Sequence, residues 1–128
     1  MVASTLATVV AVAGMTLGGA AAAHADVGDI TYTDFLDGRI TFTQTEDTKV
    51  QMVGQFNDGL NDPNALCLIY PGDLAPVPMN AVINPPGTAP FEHDFTGVTI
   101  KDFTGISVRV ICDSELIGES DPTAPVGG

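Results

Sequence analysis

Apolar and polar residues alternate along several short segments of the chain, with the period of two that is typical of a half-buried β-strand. The clearest case lies near the carboxyl end, where Ile106, Val108 and Val110 alternate with Ser107 and Arg109. The three-to-four-residue period of an amphipathic helix is scarce. The pattern predicts about seven strands, at residues 29–35, 39–45, 48–56, 65–70, 78–83, 91–101 and 105–112.

Turn-forming pairs separate these segments, among them Asp37-Gly38, Asp62-Pro63 and Pro71-Gly72. Glycine supplies positive φ, proline presets φ, and aspartate accepts hydrogen bonds from nearby backbone donors. Short strands with a turn signal about every ten residues are typical of a β-sandwich or a small barrel. The predicted fold class is therefore all-β, as a small antiparallel β-sandwich.

The two cysteines, Cys67 and Cys112, both fall on the apolar face of their predicted strands. In an exported chain this arrangement predicts one inter-strand disulfide, whereas a cytosolic chain would hold two buried thiols. The resulting domain resembles immunoglobulin-like sandwiches in architecture. The resemblance is limited to the fold, because the chain has no Trp and Val110 stands two residues before Cys112, where those domains carry Tyr.

An eight-residue repeat occupies residues 94–101 and 102–109, with the sequences DFTGVTIK and DFTGISVR. The Asp-x-x-Gly part suits a turn, and the remainder alternates as a strand does, so the two copies are predicted to form a β-hairpin. The even period keeps both strands in the same inside–outside phase. Lys101 and Arg109 would then lie on one face of this hairpin.

The first 25 residues have the composition of an export signal. They contain no Asp, Glu, Lys or Arg and end in Ala23-His24-Ala25 before Asp26, the A-x-A pattern that signal peptidase cleaves. The apolar run at 6–17 has about 12 residues, whereas a membrane-spanning helix needs roughly 20. A cleavable signal peptide at 1–25 is predicted, with an uncleaved anchor as the alternative. The missing basic residue near Met1 also leaves open a start codon further upstream.

This prediction sets the expected organisation of the chain. The β-sandwich domain spans residues 26–118, and residues 119–128, which are rich in Pro and Gly, are predicted to form a disordered tail. The expected location is secreted and extracellular, or in the cell envelope.

The charge of the chain restricts its partners. All 16 acidic and all 4 basic residues follow residue 25, and the net charge is −12. Such a surface repels phosphates, which argues against nucleic acids and against adsorption to anionic lipid. The charge is explained by the solubility of a secreted protein; attraction of cations or basic partners is the alternative.

No pattern of catalytic residues stands out, and no catalytic residue is predicted. After residue 25 the chain has one histidine, His93, and three serines, Ser107, Ser114 and Ser120, without a G-x-S-x-G elbow. A disulfide removes both cysteines as nucleophiles. A pair of carboxylates acting with His93 is the remaining enzymatic alternative.

Two segments contain residues that could act as metal ligands. Glu92-His93-Asp94 lies on a predicted strand, where alternation directs His93 away from its neighbours. The second segment, residues 57–64, is dense in oxygen ligands of the kind calcium prefers, without being an EF-hand. Its candidate ligands are Asp58, Asn61, Asp62 and Asn64, although the same residue types are common in an ordinary turn. Calcium is thus the one cofactor considered, and no other is predicted.

The function expected from these features is that of a non-enzymatic binding module, exposing loops at 57–64 and 71–90 to a protein or cell-surface ligand. A small secreted hydrolase that uses carboxylates is the first alternative. A structural envelope protein that self-associates through strand edges is the second.

Overall fold

The computed structural model describes residues 26–126, and the fold is all-β. Within that range the chain forms eleven strands and one 3₁₀ helix, Ile100–Phe103, and no α-helix. The strands are β1 Ile30–Phe35, β2 Gly38–Glu46, β3 Lys49–Gln55, β4 Cys67–Pro71, β5 Val77–Pro78, β6 Ile83–Asn84, β7 Gly87–Thr88, β8 Phe91–Thr96, β9 Val108–Cys112, β10 Glu115–Glu119 and β11 Ala124–Pro125.

Every strand pairing is antiparallel. A five-stranded sheet has the order β11-β1-β2-β3-β8, a four-stranded sheet has the order β10-β9-β4-β5, and β6 and β7 pair as a separate hairpin. The chain passes from the five-stranded to the four-stranded sheet between β3 and β4 and returns through the β6–β7 hairpin to β8. It crosses again between β8 and β9 and returns between β10 and β11. Strands far apart in sequence therefore become neighbours in both sheets, β3 with β8 and β4 with β9.

One buried apolar cluster receives side chains from both larger sheets. Ile40 and Phe42 of β2 and Val110 of β9 are completely inaccessible to solvent. The six phenylalanines form two groups of rings, Phe35 with Phe56 and Phe91, and Phe42 with Phe103 and Phe95. Burial of such large side chains is the main favourable contribution to folding.

The predicted disulfide is present and lies inside the four-stranded sheet. Cys67 and Cys112 are direct partners in the pairing of β4 with β9, and both are more than nine-tenths buried. The bridge therefore closes a pairing that the alternation of both strands already favours, with Ile69 opposite Val110 on the same inner face. Neither cysteine of the chain is free.

The buried side chain of Gln44 holds the 3₁₀ helix against the end of β2. Its Oε1 accepts the backbone N–H of Ile100 at 2.6 Å, and its Nε2 donates to the carbonyl oxygens of Glu46 and Lys49. Buried backbone groups need such partners, and an unmade bond costs about 1–3 kcal/mol. Gln44, a polar residue at an inner position of β2, thus connects the 3₁₀ helix to the residues on both sides of the β2–β3 turn.

The hairpin predicted for the eight-residue repeat is wrong. The first copy begins in β8 and ends in the 3₁₀ helix. The second copy runs from that helix into β9, and these two strands belong to different sheets. Both copies nevertheless share a local conformation, since Gly97 and Gly105 each have φ near +75°. Phe95 and Phe103 meet in the core with ring centroids 4.9 Å apart. The repeat encodes the same turn twice, whereas the strand partner is chosen by the core.

The strand count is also higher than the sequence predicts. The segment expected as one strand at 78–83 supplies the ends of two short strands, β5 and β6, and the strand expected at 91–101 ends at Thr96. Strands β10 and β11 lie beyond the last predicted strand. Short strands with only two residues, such as β6, carry no alternation that a sequence pattern can reveal.

Residues 119–126, predicted to belong to a disordered tail, are part of the fold. Ser120 and Thr123 are buried, and Ser120 Oγ accepts the backbone N–H of Val108 at 2.8 Å. Beyond them, β11 pairs with β1 and adds an edge to the five-stranded sheet. Hydroxyl groups that satisfy buried backbone donors order this segment despite the Pro- and Gly-rich composition that suggested disorder. Residues 127 and 128 lie outside the described part.

The inner face of β1 is unusual, because Thr31 and Thr33 are buried while Ile30 and Tyr32 are half-exposed. Thr33 Oγ1 donates to the carbonyl oxygen of Asp121 at 3.1 Å, so the segment after β10 offers this residue a backbone partner. The hydroxyl of Thr31 is buried without a hydrogen-bond partner within residues 26–126.

Removing the disulfide is expected to lower the free energy of unfolding by about 4 kcal/mol, because the bridge closes a loop with a sequence separation of 45 residues. The variant is Cys67→Ala/Cys112→Ala, and the measurement is urea unfolding compared with the oxidised native protein. Dithiothreitol should destabilise the native protein and leave the variant unchanged. Equal stability of variant and native protein would contradict this expectation.

Candidate functional site

Four connecting segments gather at one end of the molecule, which we call the loop end. They are the β1–β2 turn at 36–37, the β3–β4 loop at 56–66, the segment at 79–90 that carries the β6–β7 hairpin, and the β9–β10 turn at 113–114. Antiparallel partners run in opposite directions, so the end of one strand lies beside the start of its partner. The ends of β1, β3 and β9 therefore lie beside the starts of the strands that follow or pair with them. Direct bonds between the segments, described next, hold them together.

The β3–β4 loop is fixed at both sides. Asn57 donates from its backbone N–H to the carbonyl oxygen of Leu36 at 3.1 Å and from Nδ2 to that of Asp37 at 2.7 Å. Leu60 is 2% exposed and anchors the middle of the loop in the core, and its backbone N–H donates to the carbonyl oxygen of Pro86 at 2.8 Å. This last bond joins the two loops that the sequence predicts as binding loops, 57–64 and 71–90.

The β6–β7 hairpin lies directly against the end of β3. Thr88 donates from its backbone N–H to the carbonyl oxygen of Phe56 at 2.8 Å, and its Oγ1 accepts the N–H of Phe56 at 3.2 Å. Position 87 requires glycine, because a Cβ there would lie 2.3 Å from the carbonyl oxygen of Phe56 and 2.6 Å from the Cα of Asn57. The close approach leaves no room for a side chain between hairpin and strand.

The β9–β10 turn continues the pairing of β4 with β9 beyond the disulfide. Asp113 donates from its backbone N–H to the carbonyl oxygen of Leu66 at 3.0 Å, and its Oδ1 accepts the N–H of Leu66 at 3.2 Å. Asp113 and Ser114 both have positive φ, which a tight two-residue hairpin turn requires. The turn is therefore held to the β3–β4 loop by two bonds.

The calcium candidates lie on the exposed side of this loop end. Asp62 Oδ1 accepts the N–H of Asn64 at 2.9 Å, as in an ordinary Asx turn, and Asp58 Oδ1 accepts the N–H of the adjacent Gly59 at 2.9 Å. Asn61 and Asp62 also line a small pocket of about 100 Å³. Within residues 26–126 no group of three or more His, Cys, Asp or Glu side chains is placed to hold a metal ion. Calcium binding by these residues stays a prediction.

The second candidate segment is spread over both faces of β8. Glu92 and Asp94 point outward, where Glu92 accepts a hydrogen bond from Gln51 at 2.8 Å. His93 is half-buried on the inner face, with its ring edge-on to that of Phe95 at 4.7 Å. The three side chains therefore do not converge on one ion, as the alternation of the strand indicates.

The proposed cleavage residues Ala23 and Ala25 lie outside the described part of the chain, as does the whole predicted signal segment. Asp26 is the first described residue, and it is exposed. Across residues 26–126, no helix reaches the length and apolarity that crossing a bilayer demands. Cleavage before Asp26 stays a prediction.

The four-stranded sheet presents an apolar outer face beside the loop end, which the sequence analysis did not single out. An open groove of about 430 Å³ runs between residues 65–68 and 78–81. Leu66 lies at the rim of this groove and is 80% exposed, and Leu68 belongs to β4, the strand that forms the floor of the groove. A signal for this face exists in the sequence, since Leu66 and Leu68 alternate with the inward Cys67 and Ile69, which makes β4 apolar on both sides.

The outer face of the five-stranded sheet is different, because its polar side chains are paired with one another. Arg39 Nε and Nη2 donate to the two carboxylate oxygens of Asp34 at 2.6 and 3.0 Å, and its guanidinium lies 4.3 Å from the ring centroid of Tyr32. The hydrogen bond from Arg39 holds the pKa of the Asp34 carboxyl below its ordinary value. This face therefore offers few unsatisfied groups to a partner.

Since the folded pKa of Asp34 is depressed, the pairing stabilises the fold above the carboxyl's unfolded pKa, about 3.9, and is lost as the pH falls through the lower folded value. We expect an NMR titration of the side-chain carboxyls to place Asp34 below exposed, unpaired Asp residues. Arg39→Gln should move it upward, whereas Arg109→Gln, in the other sheet, should not. An unchanged titration in Arg39→Gln would contradict the assignment.

Gly87→Ala is expected to lower the free energy of unfolding by about 2–3 kcal/mol, because the new Cβ pushes the β6–β7 hairpin off Phe56. Gly97→Ala is the matched control, since its Cβ meets nothing within 4 Å and only its positive φ costs about 1 kcal/mol. Urea unfolding gives both values, and amide exchange of Thr88 reports the hairpin directly. Equal effects of the two substitutions would show that the hairpin is not held against β3.

Comparison with known proteins adds no assignment to this geometry. No protein-family model, no curated protein and no solved structure matches the chain. The function is therefore argued from the described residues and from the sequence alone.

Proposed function

We propose that the protein is an exported, non-enzymatic binding module that uses its loop end to contact a protein or cell-surface ligand. The observation that carries the proposal is the bond between Leu60 and Pro86, with the bonds between Leu66 and Asp113 beside it. These join three separate connections into one surface, while the side chains of Asn61, Asn64 and Val82 stay exposed on it. A surface ordered in advance loses less entropy on binding than mobile loops would.

We also propose that the fold is an immunoglobulin-like sandwich, and the strand order supports this. The run β2-β3-β8 corresponds to strands A-B-E, and β5-β4-β9-β10 corresponds to C′-C-F-G, with β1 and β11 as additions. The loops of the loop end then correspond to those that carry recognition in antibody variable domains. One difference is clear: the disulfide lies within one sheet, at the C and F positions, whereas immunoglobulin domains link B with F.

Export is supported by two independent features. The apolar segment at 6–17, followed by Ala23-His24-Ala25, has the pattern of a cleavable signal. The Cys67–Cys112 disulfide, in turn, is the kind of bond that persists in oxidising compartments. The proposed location is therefore outside the cytoplasm, secreted or in the cell envelope.

The chemistry of the partner is restricted by charge. A net charge of −12 opposes binding of nucleic acids and of anionic lipid surfaces. Calcium at Asp58, Asn61, Asp62 and Asn64 stays possible as an accessory to the loop end, and it is not required by the proposed role.

The test is retention of the oxidised protein on intact cell surfaces, at micromolar concentration, with variants of the loop end. Val82→Ser and Asn61→Ala/Asn64→Ala are expected to weaken retention about tenfold, because they remove exposed contacts at the centre of the surface. Val53→Ser, on the outer face of the five-stranded sheet, is the matched control and should bind as the native protein does. Absence of any retention, or equal loss in the control, would refute the proposed role.

A further inference from the structure

The outer face of the four-stranded sheet carries a row of apolar side chains that crosses all four strands. Pro78 of β5 is the direct partner of Leu68 in β4, Leu68 is the partner of Ile111 in β9, and Ile111 is the partner of Leu116 in β10. Direct partners in an antiparallel sheet have Cβ atoms about 5 Å apart, so these side chains are neighbours on one face. Leu68 and Leu116 are nevertheless 36% and 54% exposed. The row is therefore a contiguous apolar strip open to solvent.

Leu66 extends this strip toward the loop end. It lies two residues before Leu68, so it projects from the same face, and it is 80% exposed. Its backbone is held by the two bonds to Asp113, so its exposure is not a consequence of a loose chain. All three exposed leucines of residues 26–126 lie on this one face. Contiguous exposed apolar side chains of this kind mark interaction surfaces.

The charges around the strip are mostly acidic. Asp113, in the β9–β10 turn, and Glu119, at the end of β10, border it, whereas Glu115 is the partner of the inward Cys112 and projects from the opposite face. Among the four basic residues of the chain, Arg109 alone lies on this face, where its guanidinium is 5.1 Å from the ring centroid of Tyr70 and its strand partner is Glu119. An occupant of the strip therefore meets apolar side chains at the centre and negative charge at the edge.

This distribution discriminates between possible occupants. A second copy would bring another −12 charges and the same acidic border against the first. An anionic lipid surface is repelled in the same way. A polypeptide segment with apolar residues on one side and basic residues on the other matches both the centre and the border.

We propose that the outer face of the four-stranded sheet docks a basic amphipathic polypeptide segment of another protein. The row spans three inter-strand spacings, about 14 Å, which equals two to three turns of an amphipathic helix laid along it. Leucine or isoleucine side chains of the segment pack on Leu68, Ile111 and Leu116, and its Lys or Arg side chains reach Asp113 and Glu119. The inference rests on the proposed binding role and assigns a second surface with a defined partner chemistry.

The test uses the oxidised protein and a synthetic helical peptide of Leu and Lys with all Leu on one side. Two further peptides serve as matched probes, one with Ser in place of Leu and one with Glu in place of Lys. The protein variants are Leu68→Ser and Leu116→Ser, with Val53→Ser as the control on the other sheet. Circular dichroism and the retained disulfide verify that each variant is folded, and fluorescence anisotropy measures the Kd.

We expect the Leu/Lys peptide to bind, and each leucine variant to raise its Kd about tenfold while Val53→Ser leaves it unchanged. Higher salt and Glu119→Gln should slow association. Equal binding of the Ser/Lys peptide, or no effect of the leucine variants, would overturn the inference by showing attraction through charge alone. A native dimer that Leu116→Ser dissociates, or capture by neutral phosphatidylcholine vesicles, would overturn it in favour of a second copy or a lipid surface.

The two proposals fail separately. Peptide binding that depends on Leu68 and Leu116, with no retention on cell surfaces, would refute the role of the loop end and support this inference. Retention that depends on Val82 and Asn61, with no peptide binding, would refute this inference and leave the loop end intact.

Discussion

The register in which β4 pairs with β9 is the constraint on which the rest of the structure depends. With Cys67 opposite Cys112, Ile69 and Val110 face the core while Leu68 and Ile111 face outward. A shift by one residue would exchange these two sets and bring a charged residue, Arg109, into the core. The disulfide makes such a shift impossible without breaking a covalent bond. It also fixes where Leu66 meets Asp113, and so the position of one half of the loop end.

The alternation of single strands could be predicted because it is a local property. The faces of Cys67 and Cys112, and the opposite orientation of His93 and its neighbours, followed from a period of two alone. The strand partners of the two repeat copies could not be predicted, because identical DFTG turns leave the next strand free to join either sheet. The loop end was likewise hidden, since it arises from the changes of sheet between β3 and β4 and between β8 and β9, which no local pattern encodes. The sequence predicted its two main loops, 57–64 and 71–90, as binding loops, but it did not predict that they are joined.

The polar interior explains why the end of the chain was misjudged. A segment rich in Pro and Gly is predicted to be disordered when burial of apolar area is assumed to be the only source of order. Here Ser120 and Thr123 accept the backbone N–H groups of Val108 and Ile106, and Thr33 donates to Asp121. Gln44 does the same for Ile100 at the start of the 3₁₀ helix. A modest apolar core is thus completed by hydroxyl and amide groups that replace missing strand partners.

The acidic surface and the exposed leucines have a common explanation. An apolar strip such as Leu66, Leu68 and Leu116 would ordinarily favour aggregation of a secreted protein. A net charge of −12, with acidic residues bordering the strip, keeps copies of the chain apart over distances comparable to the Debye length, about 8–10 Å. The same field attracts a basic partner, so a single distribution of charge provides both solubility and selection. The five-stranded sheet needs no such protection, because its outer side chains are already paired, as Arg39 is with Asp34.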